Sequence, residues 1–587
     1  MSAVQNFPDR WLQLGELLDQ LLAQGCISQE AADQAITARQ YGTDNSQHPL
    51  ELIASLNLPD LQQPGKQLDL EQLSAWLARQ AGQPYMRIDP LRIDVVRVTP
   101  LMSHAFARRH RILALALDAQ GLTVASAQPY VRSWETDLAR VLKRPIRRVV
   151  ANPQEIARLT QEFYRLARSV SGASQQQASS PDTVEATPKF GADATDDAHV
   201  VNIVDWLLQY AFQQRASDIH LEPRHEHGSL RLRIDGVLHH AYQFPPQVTL
   251  AIVSRLKGLG RMNIAEKRKP QDGRVRTRTP AGDEVELRLS TLPTAFGEKL
   301  VMRLFDPQVL GKSFDQLGFC AEDLDRWQAM SAQAHGMILV TGPTGSGKTS
   351  TLYATLKQLA SSEVNLCTIE DPIEMIEPAF NQMQVQHNID LDFSSGVRAL
   401  LRQDPDIIMI GEIRDLETAS IAIQAALTGH LVLSTLHTSD APGAISRLLE
   451  LGVPHYLIRA TLIGVMAQRL VRVLCPHCKA PAELAADAWH SLVQPQPWPP
   501  PTLSQRAVGC TECRGSGYHG RTGVYEIMPL NARLKALIQA DLDLASLRRQ
   551  ACEDGMRNLR QAAAHKVAQG LTSLEEVLRV IPHNEHQ

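Results

Sequence analysis

Long hydrophobic runs are missing from this chain. None of its apolar stretches approaches the roughly 18 consecutive residues that a membrane-spanning helix needs. The first ten residues contain neither a basic region nor an apolar core, so the sequence shows no secretory signal. We therefore expect a cytoplasmic protein whose contact with a membrane runs through partners.

Cysteine is also scarce, at eight of 587 residues. Four of the cysteines stand alone in the sequence, and small buried hydrophobic side chains are the interpretation that we favour over reactive thiols. These four are Cys26, Cys320, Cys367 and Cys552.

A strong excess of charge is absent as well. The formal net charge is −4, which argues against a dedicated nucleic-acid-binding protein. Hydrophobic residues make up 44% of the chain and charged residues 21%, as in soluble globular proteins. The length indicates three or four domains, because one hydrophobic core does not extend over so many residues.

The most informative segment that is present is a phosphate-binding loop, which follows an apolar strand at residues 337–340 and precedes a helix-like segment. In such a loop the backbone N–H groups cradle the α- and β-phosphates of a nucleotide. We expect Lys348 to reach the β- and γ-phosphate oxygens and the Thr349 hydroxyl to hold Mg²⁺. The residues expected to bind ATP are Gly342, Pro343, Thr344, Gly345, Ser346, Gly347, Lys348 and Thr349.

Two later apolar strands end beside acidic residues, namely Glu370 and Glu412. A hydrolytic P-loop site needs an acid that orients the attacking water and carboxylates that support hydrated Mg²⁺. We expect Glu412 to act as the general base, with Glu370 in support. Because Gly411 stands where a Walker B strand usually has aspartate, direct support of the metal falls to Glu370 or Asp371. The alternative is that these are surface acids that cap strands.

Two histidines, His430 and His437, bracket the apolar strand at residues 431–436. A histidine at a strand end beside the γ-phosphate can sense the nucleotide or donate a hydrogen bond to it. We expect this role for His437. For His430 a structural role and a functional role both stay open.

The remaining four cysteines form two C-x₂-C pairs that are separated by 31 residues: Cys475, Cys478, Cys510 and Cys513. In a reducing cytoplasm this spacing predicts a closed, structural Cys₄ site for Zn²⁺. Redox-active dithiols and a site without metal are the alternatives. A proline-rich stretch at residues 494–501 accounts for the long separation and predicts an exposed loop.

The composition divides the chain into regions. Residues 1–168 carry no catalytic constellation and are expected to serve docking or regulation, and residues 169–198 are rich in Ser, Gln and Ala, which predicts a flexible tether. Residues 199–310 indicate a small α+β module, and residues 311–587 alternate strands and helices around a parallel sheet. We expect helices at 14–39 with an N-cap at Ser28, at 69–80 with an N-cap at Asp69, and at 200–213. Strands are expected at 111–117, 122–127, 218–221, 230–234, 275–279 and 284–291, with a hairpin turn at 279–283 between the last two.

Taken together, these motifs resemble the secretion ATPase superfamily of type II secretion and type IV pilus assembly. The resemblance covers about residues 200–580 and includes the Walker A loop, an aspartate box (TIEDPIE, 368–374), an atypical Walker B segment (401–418) and a histidine box (428–438). The smaller module matches at ASDIHLEP (216–223), RIDG (233–236) and KPQDGR (269–274).

The resemblance implies an α/β fold: a RecA-like P-loop ATPase core, a PAS-like α+β domain, an additional N-terminal domain, and a tetracysteine zinc insert at about 470–520. It also implies a homohexamer in which arginines of the PAS-like domain complete each active site. Arg288 and Arg303 match the pattern and the spacing of those arginines, with solvated strand residues as the alternative.

The resemblance further implies an assembly motor that docks on inner-membrane platform proteins through its N-terminal domain. Some relatives bind cyclic di-GMP there through a motif that begins Arg-Leu-Gly. In this chain Gln13 replaces the arginine, and the segment between Gly15 and Gly25 is longer than the motif, so we favour docking. The alternatives to a pilus or pseudopilus motor are a DNA-uptake or conjugation motor and an ATP-binding scaffold that hardly turns over.

Overall fold

The computed structural model describes residues 9–41, 47–62, 67–178, 196–280, 282, 284–304, 312–494, 496–501, 504–510 and 512–581. The chain divides into two compact units. The first comprises residues 1–281 and 287–303, and the second comprises residues 282–286 and 304–587. Each unit is described by itself. None of the helices within the described residues combines the length and the hydropathy that a membrane span requires.

The first unit begins with a mainly helical region that carries a small sheet. Ser28 and Asp69 cap helices as predicted, and the predicted strand pair is confirmed. A third strand, parallel to the second, was not predicted. The helices are α1 (Leu14–Ala23), α2 (Gln29–Tyr41), α3 (Pro49–Ser55), α4 (Leu70–Gln80), α5 (Val95–Val98), α6 (His104–His110), α7 (Ser133–Leu142) and α8 (Pro153–Ala178), and the strands are β1 (Ile112–Asp118), β2 (Gly121–Ser126) and β3 (Ile146–Val150).

The predicted tether begins too early in the sequence. Residues 169–178 continue helix α8, and Val170 and Ala173 are buried one helical turn apart. Gly172 allows close packing on the next helix, because a Cβ there would lie 2.6 Å from Nε2 of His199. Gly172 and Ala173 therefore serve helix packing. Residues 179–195, the centre of the predicted tether, lie outside the described residues.

The predicted α+β module completes the first unit and is confirmed. Its strands form a sheet in the order β6-β5-β4-β9-β8-β7, with antiparallel pairing of β4 to both β5 and β9. The elements are α9 (Asp196–Gln213), β4 (Asp218–Pro223), β5 (Gly228–Ile234), β6 (Val237–Phe244), α10 (Pro246–Leu259), β7 (Gln271–Arg278), β8 (Glu284–Thr294) and β9 (Gly297–Leu304). Strands β6 and β9 and helix α10 were not predicted. The predicted hairpin turn includes residues 281 and 283, which lie outside the described residues.

The second unit is built on a sheet whose described strands follow the order β12-β11-β13-β14-β10-β15-β18. The strand before the phosphate loop, β10, pairs in parallel with β14 and β15, and within the described part of this sheet only β18 runs antiparallel. Strands β16 and β17 form a separate antiparallel pair. The strands are β10 (Gly336–Thr341), β11 (Leu366–Glu370), β12 (Asn381–Gln384), β13 (Ile407–Ile410), β14 (Leu431–Leu436), β15 (Leu462–Leu474), β16 (Ala480–Ala482), β17 (Ser504–Arg506) and β18 (Tyr518–Pro529). This is the RecA-like core that the sequence predicts.

Helices cover both faces of this sheet, so its central strands are buried on both sides. Along β10, Met337 and Leu339 enter one hydrophobic cluster, whereas Ile338 and Val340 enter the other. The helices are α11 (Phe314–Leu317), α12 (Ala321–Ser331), α13 (Lys348–Leu359), α14 (Phe393–Leu400), α15 (Leu416–Leu427), α16 (Ala441–Glu450), α17 (His455–Thr461), α18 (Ala486–Val493), α19 (Ala532–Leu537), α20 (Leu544–Glu553), α21 (Leu559–Ala568) and α22 (Leu574–Val580).

The proline-rich stretch lies in the insert that carries the paired cysteines. Its described residues, 494 and 496–501, form neither helix nor strand. The stretch is not wholly exposed, because Trp498 packs against the core and its carbonyl accepts a hydrogen bond of 2.9 Å from the indole of Trp489. This hydrogen bond joins the loop to helix α18.

Candidate active site

The phosphate-binding loop joins the end of β10 to the start of α13. Gly347 is the N-cap of this helix and has a φ of +88°. A Cβ at Gly347 would lie 2.8 Å from Nε2 of Gln468. Glycine is therefore required for both its backbone conformation and its small size. The loop directs the N-terminus of a 12-residue helix, and the partial positive charge of that terminus, toward a bound anion.

Lys348 is buried, and its ammonium group is held by the loop itself. Nζ donates hydrogen bonds to the carbonyl oxygens of Gly342 at 2.7 Å and Pro343 at 3.2 Å. Burial lowers the pKa of Lys348 to about 8; the charge of Arg469 acts in the same direction and that of Glu412 opposes it. Oγ of Ser346 is buried and has no hydrogen-bond partner within the described residues. A desolvated cation and an unsatisfied hydroxyl suit a phosphate group.

Glu412 follows β13, and its carboxylate has two basic neighbours. The guanidinium of Arg414 forms an ion pair with Oε1, and Nε2 of His437 lies 3.3 Å from Oε2. The Glu412 side chain is 15% exposed, so solvent can reach it. The structure thus brings Glu412 and His437 together. The roles expected of them, orienting the attacking water and contacting the γ-phosphate, stay predictions.

The loop that carries His437 is also tied to the phosphate-binding strand. Oγ1 of Thr341, the last residue of β10, accepts a hydrogen bond of 2.8 Å from the backbone N–H of Thr438. The two threonine hydroxyls lie 2.6 Å apart. The histidine box therefore has a fixed position relative to the start of the phosphate loop.

Glu370 has a different environment from Glu412. It is buried at the end of β11 and accepts hydrogen bonds from the hydroxyls of Tyr353 at 2.7 Å and Thr368 at 2.8 Å. Nε2 of Gln382 donates a further bond at 3.2 Å. Burial and the neighbouring Glu370 carboxylate raise the pKa of Tyr353. The acid is therefore held in one orientation by neutral donors, whereas the adjacent Asp371 contacts His387 at 3.5 Å.

The two histidines of the histidine box lie at opposite ends of β14. His437 follows the end of the strand nearest the phosphate loop, whereas His430 precedes its start. Nδ1 of His430 lies 2.9 Å from the carbonyl of Ala425 and 3.1 Å from the hydroxyl of Thr428. These contacts close the C-terminus of α15, which favours the structural interpretation of His430.

The two predicted arginines belong to neighbouring strands of the first unit, Arg288 to β8 and Arg303 to β9. Arg303 is half exposed, and its Nε lies 3.2 Å from Oδ1 of Asp218. Asp218 also faces Arg233 at 3.6 Å. The structure places Arg288 and Arg303 on one sheet, and their role in catalysis stays a prediction.

The sequence analysis missed two residues of β15 that contact the phosphate-binding segment. The Gln468 side chain accepts a 3.0 Å hydrogen bond from the hydroxyl of Thr351 on α13. Arg469 follows it and donates to the carbonyl of Ser439 at 2.7 Å. The signal in the sequence was a polar pair, Gln468 and Arg469, inside the otherwise largely apolar segment 462–474.

The four paired cysteines converge on one point, with all their sulfur atoms within 4.8 Å of one another. The Sγ atoms of Cys475 and Cys510 are 3.8 Å apart, and those of Cys478 and Cys513 are 3.7 Å apart. A zinc tetrahedron with Zn–S bonds of about 2.3 Å places its sulfurs about 3.8 Å apart. The backbone N–H of Gly517 donates to Sγ of Cys513 at 3.1 Å, which favours the thiolate. The arrangement fits Zn²⁺ and four thiolate ligands.

Two family models match the chain. The model described as "Type II/IV secretion system protein" matches residues 193–579, and the one described as "MshEN domain" matches residues 81–170. The first therefore covers the α+β module and the P-loop unit, whereas the second covers the later part of the N-terminal region.

Curated relatives extend the similarity over nearly the whole chain. A protein named "Type IV pilus assembly ATPase TfpB" from Acinetobacter baylyi is 52% identical over 96% of this chain and 98% of its own length. "Type IV pilus assembly ATPase PilB" from Myxococcus xanthus is 40% identical over 87% of this chain and 91% of its own length. "Type II secretion system ATPase E" from Vibrio cholerae is 40% identical over 83% of this chain and 92% of its own length.

Proposed function

Because this chain belongs to the Type II/IV secretion system protein family, we propose that its ATPase activity drives assembly of a type IV pilus. The observation that carries the proposal is the 52% identity, over 96% of this chain, to a relative named for pilus assembly. The N-terminal region takes part in that similarity, and this is the region in which we expect the contact with the rest of the machine. The identity thus extends over nearly the whole chain and is not confined to the ATPase core.

The chain is an ATP hydrolase, and its residues suit each part of that reaction. We propose that the phosphate loop and Lys348 bind the phosphates, while Thr349 supplies a hydroxyl ligand to Mg²⁺, which would polarise the phosphate oxygens when bound. Glu412 would orient the attacking water, and Arg414 and His437 would hold the Glu412 carboxylate in place. Glu370, which accepts hydrogen bonds from neutral donors, would support the hydrated Mg²⁺.

The proposal is tested by a chromosomal Lys348→Ala replacement in the native bacterium, with surface pili and secreted proteins scored in parallel. We expect loss of surface pili and normal secretion. The matched control is Lys357→Ala on the same helix, since Lys357 is half exposed and forms an ion pair with Glu377 at 3.3 Å. Pili that persist in the Lys348→Ala strain would overturn the proposal, unless a second gene supplies the same activity, which a deletion strain would reveal.

A type II secretion pseudopilus is the second candidate, because a relative 40% identical over 83% of this chain is named for type II secretion. The same strains distinguish the two candidates. Loss of secreted proteins with intact pili would assign this chain to secretion. Purified protein whose hydrolysis rises with added DNA, with a steep salt dependence, would instead indicate a DNA-handling motor.

We also propose that the active protein is a homohexamer whose sites combine residues of two subunits. Arg288 and Arg303 would contribute positive charge to the phosphate site of a neighbouring chain. The test mixes two inactive variants, Lys348→Ala and Arg303→Gln. Each lacks a different half of the proposed site, so co-assembly should restore some sites with both halves intact. Recovery of activity on mixing supports shared sites, whereas mixtures that stay inactive although mixed rings form contradict them.

The N-terminal region is proposed to dock on platform proteins of the inner membrane. On this account the chain is found with the membrane fraction only when the platform is present. Fractionation of a platform-deletion strain tests this directly, because the chain should then move to the cytosolic fraction. Membrane association that persists without the platform would contradict docking through a partner.

A further inference from the structure

Arg469 occupies a position beside the phosphate loop that the mechanism above does not use. It lies on β15, which runs parallel to β10 with Ala467 paired to Thr341. Because Thr341 is the last residue of β10, the two residues after Ala467 continue alongside the loop itself. The sheet therefore carries Arg469 to the same edge as Lys348.

The guanidinium of Arg469 bridges three segments. Nη2 donates to the carbonyl of Ser439 at 2.7 Å, in the loop after β14. Nη1 donates to the carbonyl of Gln468 at 2.9 Å and lies 3.1 Å from the place that a Cβ on Gly342 would take. Gly342 is the residue whose carbonyl holds Nζ of Lys348 at 2.7 Å. Both cationic groups thus lie beside the first glycine of the phosphate loop.

Within the described residues, no carboxylate lies within ion-pair distance of Arg469. The acids that act on it from further away, Asp440 and Glu526, already have other partners. Asp440 forms an ion pair with Arg548, and Glu526 accepts hydrogen bonds from the backbone N–H groups of Ala441 and Leu559. Among the residues that the structure describes, the guanidinium donates hydrogen bonds to carbonyl oxygens and to no carboxylate, so no ion pair neutralises its charge.

Two desolvated cations beside each other are unfavourable unless an anion joins them. Burial lowers the pKa of Arg469, and the charge of Arg469 contributes to the lowered pKa of Lys348. An anion between the two groups would reverse both effects, because an opposite charge within about 4–6 Å favours the charged forms. A phosphate bound in the loop is such an anion, and arginine binds phosphate with directed hydrogen bonds.

We propose that Arg469 is a second cation of the ATP phosphate site, contributed by the same chain as the phosphate loop. Because Arg469 also donates to the carbonyl of Ser439, phosphate binding would act on the loop after β14 as well. A phosphate that draws the guanidinium toward itself also pulls on the loop that carries the histidine box, so nucleotide binding and the position of His437 become linked. This inference rests on the proposed role of the loop as the nucleotide site.

The test compares ATP affinity in the full-length wild type and two variants, Arg469→Gln and Arg469→Lys. Lysine keeps the charge, whereas glutamine keeps a hydrogen-bond donor for the carbonyls of Gln468 and Ser439. We expect the dissociation constant for ATP to rise about tenfold or more in Arg469→Gln, in line with a charge-assisted hydrogen bond, and to rise much less in Arg469→Lys. The control is Arg447→Gln on α16, where the arginine is half exposed and pairs with Glu450.

A second measurement uses the wild type and does not depend on how the variants fold. Phenylglyoxal modifies accessible arginines, and the modified positions can be assigned by peptide mass spectrometry. We expect ATP or inorganic tripolyphosphate to slow modification of Arg469 about tenfold or more, whereas adenosine leaves it unchanged. Arg447 should react at one rate under all conditions. Protection by tripolyphosphate but not by adenosine identifies the phosphates as the group that Arg469 meets.

Two outcomes would overturn the inference. One is wild-type ATP affinity in Arg469→Gln. The other is modification of Arg469 at the same rate with and without ATP in a protein that binds ATP. If the phosphate loop were not the nucleotide site, the result would differ, since Lys348→Ala would then leave ATP binding unchanged. If only the pilus-assembly role failed, ATP affinity would still depend on Arg469, while surface pili would persist in the Lys348→Ala strain.

Discussion

Nε2 of His437 lies 3.3 Å from Oε2 of Glu412, so the ends of two neighbouring strands, β13 and β14, meet at one carboxylate. Arg414 holds the other oxygen of that carboxylate. Thr438, next to His437, is tied to Thr341 at the end of β10. The acid, the histidine and the phosphate loop therefore form one connected group at the carboxyl edge of the parallel sheet.

His437→Ala is expected to lower kcat about tenfold while the dissociation constant for ATP changes less than about twofold. The physical reason is that Glu412 loses one of the two groups that orient it, whereas the phosphate loop is untouched. Steady-state hydrolysis and an equilibrium ATP titration measure the two quantities. The matched control is His430→Ala at the opposite end of the same strand, which should keep wild-type kcat. Equal losses in both variants would show that the effect of His437 is structural.

ATP affinity is expected to fall as the pH rises above about 8. The pKa of Lys348 is lowered to about 8 in the free protein, and bound phosphates should raise it again. Binding then requires a proton whenever the pH exceeds the free value, so affinity drops up to about tenfold for each pH unit above that point. Equilibrium titrations from about pH 7 to pH 9.5 measure this dependence. Lys348→Ala, with weaker binding overall, should show a flat profile, and a wild-type profile as flat as that of the variant would contradict the prediction.

Glu526→Gln is expected to remove a pH-dependent loss of stability. Burial raises the pKa of Glu526 to about 7 from an ordinary 4.5, so the fold favours its neutral form. The stabilisation from that form is fully present below about pH 4.5 and is lost as the pH rises through about 7. A shift of this size corresponds to about 3 kcal/mol.

Thermal unfolding of wild type and Glu526→Gln at about pH 5 and pH 8 measures this effect. From about pH 5 to about pH 8, the thermal midpoint of Glu526→Gln should rise relative to that of the wild type. Glu417→Gln, at a half-exposed acid on α15, serves as the control and should follow the wild type at both. A constant difference between Glu526→Gln and wild type would contradict the account.

Purified protein is expected to contain one Zn²⁺ per chain, and Cys478→Ser should lose most of it. Removing one thiolate from a tetrahedral site weakens metal binding. The two C-x₂-C segments that the metal joins are then released, so the thermal midpoint should also fall. Elemental analysis and thermal unfolding measure the two effects. Cys552→Ala is the control, because Cys552 packs against the core and is not one of the four paired cysteines. Wild-type protein that is folded and active without zinc would contradict the metal site.

How much of this site the sequence reveals depends on how far apart its parts lie in the chain. The phosphate loop is eight consecutive residues, and the cysteine pairs have a spacing that points to metal, so both were predictable from local pattern. Glu412 and Glu370 were predictable because each follows an apolar strand, and the parallel sheet places strand ends at one edge. Two of the hydrogen bonds that set Glu370 apart from Glu412 were not predictable, since Tyr353 and Gln382 come from segments other than the strand of Glu370.

Arg469 shows why tertiary contacts escape pattern analysis. It lies more than 100 residues beyond the phosphate loop in the sequence, and only the pairing of β15 with β10 brings the two together. The early start that the sequence predicts for the tether, at residue 169, has another cause. Small residues such as Gly172 suit both a tether and a close helix contact, and only the position of His199 decides between them. Strand β3 was missed because Arg147 and Arg148 interrupt its short apolar pattern.

The central claim is that Glu412 orients the water that hydrolyses ATP bound at the phosphate loop. The most direct test measures ATP binding and turnover in Glu412→Gln, with Glu417→Gln as the control. The account predicts wild-type ATP affinity and a loss of turnover of about 100-fold or more in Glu412→Gln, because the neutral amide cannot accept a proton from water. The control should behave as the wild type. Turnover near the wild-type rate in Glu412→Gln would contradict the account.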